Sequence, residues 1–399
     1  MKKLLLYLLI IVFVLFFSFV KKTEDETKTV IRFSSWGSQT ETAILKKVIE
    51  EYERENTNIK IDFIHIPQNY FQKIQLLFAS GLEPDVVFLN NKNIQMYINA
   101  NLLEDVSSII NKDSFYDEAL ECFSKNGKIY AVPRDISNLV IFYNKSILKN
   151  KPKFDDFSEF ISFLKTLKSD KYYAINYEED SLFWSYYLAS NGGGLLSDDK
   201  KSLLINSNET IDAIKIYSDL INKYNVVPNK AQVGSKTSAQ MFINGELAMY
   251  LGGRWMVPKF REVITFDWDI LMFPANMNKK LYIDASGWAL TKKAKNKKEA
   301  LEFIEYLSSD KIIGELAQTG LIIPAKRYVA EEIIGKEQIP LYSKIFIKML
   351  DNTKPTPVNE NYSTINDIIT QNVISILSGE STFEDVFDKK TITKLESLL

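Results

Sequence analysis

Between Val30 and Leu89 the hydrophobic pattern alternates strand, helix, strand, helix, strand, and that rhythm restricts the chain to an open α/β sheet. Val30-Ile31-Arg32-Phe33 reads as the first strand and stops at Ser34-Ser35-Trp36-Gly37. Ser38-Gln39-Thr40-Glu41 then has the form of a capping box, with Ile44, Val48, Ile49 and Tyr52 following at helical spacing. Ile59, Ile61 and Phe63 alternate in a second strand that Pro67 closes. A helix over Asn69–Ala79 stops at Gly81, which suits a left-handed C-terminal cap. Val86-Val87-Phe88-Leu89 is a short apolar run of the kind buried inside a parallel sheet.

The alternation resumes downstream. Ile129–Tyr143 reads as extended segments, and helices are expected over Phe157–Lys168, Ser181–Ala189, Thr210–Tyr224, Glu299–Leu307 and Tyr362–Leu377. No periodic repeat or low-complexity stretch interrupts this order, which argues against a solenoid. At 399 residues the chain is too long for one ordinary core, so two domains are expected.

The first 20 residues stand apart. Lys2 and Lys3 precede an apolar run from Leu4 to Phe17, extended by Phe19 and Val20, and Lys21-Lys22 close it. A positive start followed by an apolar stretch reads as an export signal. It carries no small-x-small site, and about 17 to 20 apolar residues can just span a bilayer, so cleavage and retention as an anchor both stand. Residues 1–22 are therefore signal or anchor and 23–28 a polar tether. Cys122 is the only cysteine, which excludes an intramolecular disulfide and leaves no lipid-accepting cysteine after the apolar run. It reads as a small buried residue.

Much chemistry is missing. His65 is the only histidine and continues the Ile59, Ile61, Phe63 face, so it reads as structural. One His and one Cys leave no histidine-based triad, zinc cluster or Cys-His pair. Neither a dinucleotide fingerprint nor a phosphate loop is present. A formal charge of −2 argues against nucleic acid. Paired carboxylates are always available among 51 acidic residues, and without geometry they point nowhere. No cofactor and no metal are expected, and nothing in the sequence requires an enzyme.

Six segments, in order, carry a resemblance. They are Phe33–Glu41 (FSSWGSQTE), Leu76–Asn90 (LLFASGLEPDVVFLN), Asn126–Leu148 (NGKIYAVPRDISNLVIFYNKSIL), Phe183–Leu196 (FWSYYLASNGGGLL), Met241–Trp255 (MFINGELAMYLGGRW) and Ser286–Ser309 (SGWALTKKAKNKKEALEFIEYLSS). The chain resembles the extracellular solute-binding proteins of ATP-binding-cassette importers, family 1, the maltose-binding-protein-like group. The resemblance implies a type II-like periplasmic-binding-protein fold of two α/β lobes. Residues 29–136 with 285–336 would form lobe 1, and 137–284 with 337–399 lobe 2. The chain would cross the hinge near Asp135–Asn138, near Tyr282–Ala285 and within Gly335–Leu341. The ligand would lie in the cleft, with hinge closure burying it. The protein would be a monomer, exported to the periplasm or cell surface, handing its solute to a membrane permease.

A sugar needs aromatic faces for its C–H patches and planar polar groups for its hydroxyls. Trp36 lies at the carboxyl end of the first strand, where open α/β sheets bind ligands. Glu41 belongs to the capping box, yet the resemblance implies an acidic ligand contact close by. Asn90, at the end of the Val86–Leu89 strand, and Asp135 match positions where relatives place polar contacts, with hinge structure as the plainer role for Asp135; Asn138 follows three residues on. Arg134 is peculiar to this sequence and could pair with Asp135 or with an acidic ligand. Trp184 opens an aromatic helix near which relatives stack ligand rings, although helix packing explains the cluster as well. In GGRW the glycines allow close approach to Trp255, where relatives carry a stacking tryptophan, and Arg254 offers a five-donor fork. Trp288 follows Ser286-Gly287 at a crossing, and Tyr362 starts a helix that lines the cleft in relatives. Trp268 alternates with Phe266 and Ile270 and reads as core.

The function expected is capture of a mono- or oligosaccharide. The rivals are a polyamine, glycerol phosphate or peptide ligand, a secreted glycan hydrolase with paired carboxylates, and, ranked last, a sensor ectodomain.

Overall fold

The computed structural model describes residues 28–399, so the signal-or-anchor reading of residues 1–22 and most of the tether lie outside the described residues. The first strand, β1 (Thr29–Ser35), leads into helix α1 (Gln39–Glu55) through a complete capping box. Ser38 Oγ accepts the Glu41 amide at 3.2 Å, and Glu41 Oε2 accepts the Ser38 amide at 3.0 Å. Strand β2 (Ile59–His65) runs parallel to β1 along its whole length. Helix α2 (Tyr70–Ser80) ends at Gly81, whose φ of 70° lies in the left-handed region that glycine enters without Cβ strain. Strand β3 (Val86–Asn90) follows, then helix α3 (Asn91–Asn99). Val86, Val87, Phe88 and Leu89 are all fully buried, as their unbroken apolar run demands.

β3 is parallel to β1 but antiparallel to its other neighbour, so the sheet is mixed. A run apolar on both faces fixes burial on both faces and leaves strand direction open. That neighbour is a late strand, Leu281–Leu290, which inserts between β3 and β4 (Val132–Ser137). After β4 the chain continues as β5 (Leu139–Asn144), the centre of a separate three-stranded antiparallel sheet. Its partners are β6 (Met249–Gly253) and β7 (Trp268–Met272). The late strand is β8 (Leu281–Leu290), and a short β9 (Ile323–Pro324) pairs with the far side of β4.

Each sheet has its own core. Ile31, Phe33, Leu45, Phe88, Trp288 and Phe303 belong to the first. Leu139, Phe142, Tyr187, Phe273 and Ile365 belong to the second, which the helices α4 (Phe157–Thr166), α5 (Ser181–Asn191), α6 (Asn208–Asn222) and α7 (Tyr362–Leu377) surround. The chain passes between the cores at least four times among the described residues: besides a late return to the first core at Leu350, between Met349 and Val358 of the second, three earlier crossings stand out. Ser137 ends β4 and Leu139 begins β5; Leu281 packs in the second core and Ile283 in the first; Ala330 packs in the first and Ile334 in the second.

Three residues read as structural take up such places. Trp268 is 8% exposed in the second core. Cys122 is buried, and burial pushes its thiol pKa up. His65 Nε2 lies 3.1 Å from Thr42 Oγ1 and 3.2 Å from the Gly37 carbonyl, tying β2 to the loop before α1.

Candidate ligand cleft

A pocket of about 460 Å3 opens between the two cores. One wall follows from β1. The chain leaves the sheet at Ser35, and the indole of Trp36 lies on Phe88 with centroids 4.1 Å apart. Tyr70 and Phe71, in the first turn of α2, meet it edge-on at 5.0 Å each. This aromatic bed holds Trp36 half-buried, with its remaining surface in the pocket. Tyr70 is itself fixed, since its hydroxyl accepts the Phe88 amide at 3.1 Å and lies 2.9 Å from Ser34 Oγ. The opposite wall is the start of α7, where Tyr362, Ser363, Asn366 and Asp367 face the pocket.

Lys92 and Asn93 stand at the floor. The Lys92 ammonium lies 2.7 Å from Asp284 Oδ2, on the β8 crossing. Burial works against that ammonium, but Asp284 outweighs it and holds the Lys92 pKa above the usual lysine value. Asp284 also accepts Asn91 Nδ2 at 3.1 Å and Thr356 Oγ1 at 2.8 Å, so the pair is braced on both sides. Tyr362 is buried beside it, and desolvation pushes its hydroxyl up to about 12, so it remains a neutral hydrogen-bonding group.

Behind the aromatic bed lies a charged cluster. The Arg134 guanidinium stacks 4.2 Å from the Phe88 centroid, pairs with Asp135 and reaches Glu41 Oε1 at 3.4 Å. Its Nη1 is buried with no partner among the described residues. Burial pushes the Asp135 carboxyl above its usual range, with Arg134 opposing that shift.

The residues singled out from sequence thus divide. Trp36 and Tyr362 line the pocket from opposite walls. Glu41 and Asp135 are held by Arg134, and Glu41 completes the α1 capping box as well. Asn90 is turned to helix capping, its Oδ1 accepting the Asn93 amide at 3.1 Å. Asn138, 1% exposed, ties the first crossing to the Phe346 carbonyl at 2.8 Å. Trp184 is 2% exposed inside the second core, with Nε1 donating to the Glu179 carbonyl at 3.1 Å. Trp288 is fully buried between Phe33 and Phe88. Neither indole reaches the pocket, because both lie on inward faces of their elements. Arg254 is 1% exposed and spends its donors on Glu337 and on the Ile322 and Ala317 carbonyls. Trp255 is half-buried and folds back over β6, where a Cβ on Gly253 would meet its ring at 1.9 Å.

The sequence reading missed Lys92, Asn93, Asn366 and Asp367, along with Tyr70 and Phe71. A polar stripe at 362, 363 and 366, on an otherwise apolar-faced α7, was the available signal for the far wall.

Two lobes with separate cores, joined by several chain crossings and with a pocket between them, define a two-lobed binding architecture. Residues 36–312 match the model of the bacterial extracellular solute-binding proteins, and the chain belongs to that family. It is 24% identical over 338 residues to the maltodextrin-binding protein MdxE of Bacillus subtilis, covering 78% of this chain and 77% of that one. A maltooligosaccharide ABC transporter solute-binding lipoprotein of Streptococcus pneumoniae is 24% identical over 272 residues, 64% of this chain and 62% of that protein. Among solved structures, the Listeria monocytogenes ABC substrate-binding protein Lmo0181 in complex with cycloalternan superposes with a TM-score of 0.82 at 23% identity, over 93% of this chain and 98% of that one. A Thermotoga lettingae solute-binding protein bound with α-D-tagatose gives 0.79 at 20% identity, over 93% and 100%.

Proposed function

We propose that the protein captures an oligosaccharide of the maltodextrin kind in this cleft and hands it to the membrane permease of an ATP-binding-cassette importer. The observation that carries the reading is Trp36. Its indole is held on three aromatic rings, half-buried, and lines the pocket opposite the polar start of α7. An aromatic plane facing amide, carboxylate and ammonium groups suits a pyranose, whose rings have apolar C–H faces and hydroxyl edges. The maltodextrin- and maltooligosaccharide-binding relatives support the same ligand class.

In this reading the lobes are 29–136 with 285–336 and 137–284 with 337–399, and solute bridging them stabilises the closed form. The protein binds without transforming its ligand. It acts as a monomer outside the cytoplasm, and residues 4–20 either direct export or tether it to the membrane.

A thermal-shift panel tests this. Maltotriose or maltotetraose is expected to raise the melting temperature saturably, with no hydrolysis product formed. A shift confined to polyamines, glycerol phosphate or peptides would refute the sugar assignment, and release of shorter sugars would refute pure binding.

A further inference from the structure

A second concavity, of about 450 Å3, lies away from the cleft, where the third crossing runs past the second lobe. It is as large as the inter-lobe pocket and within the range of small-molecule sites. Its floor is apolar, built from Phe154, Leu271, Met272 and Ile334. Leu341 is 63% exposed and Tyr342 40% exposed on its wall, two of the few large apolar side chains left in water among the described residues. An isolated exposed leucine needs no explanation, but an exposed pair lining a concave apolar surface marks a binding site.

The rim is cationic. Lys151, Lys153, Lys344 and Lys348 all line it. Among the described residues no carboxylate lies within 4 Å of Lys151, Lys344 or Lys348, and Lys153 pairs only with the exposed Asp155. The acidic groups nearby are committed elsewhere. Glu337 is held by Arg254 and Arg261, while buried Asp269 accepts the Tyr342 amide at 3.0 Å and lies 3.6 Å from Lys145. Lys151 Nζ rests 3.3 Å from the centre of the Tyr342 ring, which places one ammonium directly over the apolar wall.

We propose that this groove is a binding site for a small anionic amphiphile, an apolar chain ending in a carboxylate or phosphate, taken up from solution. The chain lies on the Phe154, Leu271 and Leu341 surface, and the anionic head is held by the unpaired lysines. Both parts are required. A neutral chain would leave the lysine rim unanswered, and a bare anion would leave the apolar floor in water. The site shares no lining residue with the inter-lobe pocket, so it stands whether or not that cleft takes sugar.

Calorimetric titration with octanoate, below its micellar concentration and at low salt, tests the proposal, with 1-octanol as the neutral control. Saturable octanoate binding is expected, at least tenfold tighter than octanol and weakened by added salt. The double variant Lys344→Glu, Lys348→Glu alters only exposed side chains and is expected to lose octanoate affinity at least tenfold with an unchanged melting temperature. Leu341→Asn is expected to weaken octanoate and octanol alike. Equal affinity for octanol and octanoate, indifference to the charge reversal, or no saturable octanoate binding would each overturn the assignment.

Discussion

Arg254 grips the carboxylate of Glu337 with two N–H donors, at 2.7 and 3.0 Å, in a place nearly closed to water. The same guanidinium donates to the carbonyls of Ile322 and Ala317, at 2.8 and 3.1 Å. One side chain at the end of β6 therefore ties the second lobe to the third crossing and to the segment before β9. Removing one partner of a buried pair strands the other's charge, which costs about 3–5 kcal/mol. Arg254→Ala is expected to lower unfolding free energy by that order in chemical denaturation. Arg254→Lys should rescue only part of it, since an ammonium cannot reproduce the planar fork.

Trp36 and Trp184 separate binding from stability. Trp36→Ala removes the stacking face of the cleft and is expected to weaken oligosaccharide binding at least tenfold, about 1.4 kcal/mol or more by calorimetry. Trp184→Phe leaves the cleft untouched but deletes buried volume and the bond to the Glu179 carbonyl. It should cost roughly 1–3 kcal/mol of stability while leaving affinity unchanged.

Gly253 is required by its neighbour rather than by its own backbone. A methyl group there would stand 1.9 Å from the Trp255 ring, so Gly253→Ala must displace the indole. The expected result is a stability loss of about 1–3 kcal/mol with a red-shifted tryptophan emission as Trp255 gains solvent.

Glu178 gives a pH signature. Burial raises its carboxyl pKa, and hydrogen bonds from Asn176 and Ser238 offset only part of that rise. From about 4.3, the value of a free glutamate, up through the folded pKa, the folded chain holds more protons than the unfolded one. Stability contributed by this group is therefore full at low pH and lost as pH rises. Glu178→Gln removes that loss, so the variant should gain on the native protein between acid and neutral pH in parallel denaturation series.

Much of the architecture could be read from the sequence because it is written in local signals. The capping box at Ser38, the glycine stop at Gly81 and the four-residue apolar run at Val86 each specify one element without outside help. Strand direction could not be read in this way: β8 arrives beside β3 from nearly two hundred residues away, and no local pattern encodes that pairing. The site was legible only in part for a related reason. Trp36 announces itself by standing at a strand end, but Trp184 and Trp288 have the same composition cues and are turned inward by packing on Glu179 and Phe88. Arg254 looked like a free five-donor fork, and the acceptors that occupy it come from two distant stretches of chain, Ala317–Ile322 and Glu337. Lys92 carries no local signal, because its partner Asp284 is brought against it only by the fold.

The most direct measurement is a crystal structure of the protein with maltotriose. A glucose ring stacked on Trp36, with hydroxyls reaching the Lys92–Asp284 pair and the Asn366 and Asp367 side of α7, is the expected result. A sugar bound outside this cleft, or an empty cleft at saturating sugar, would contradict it.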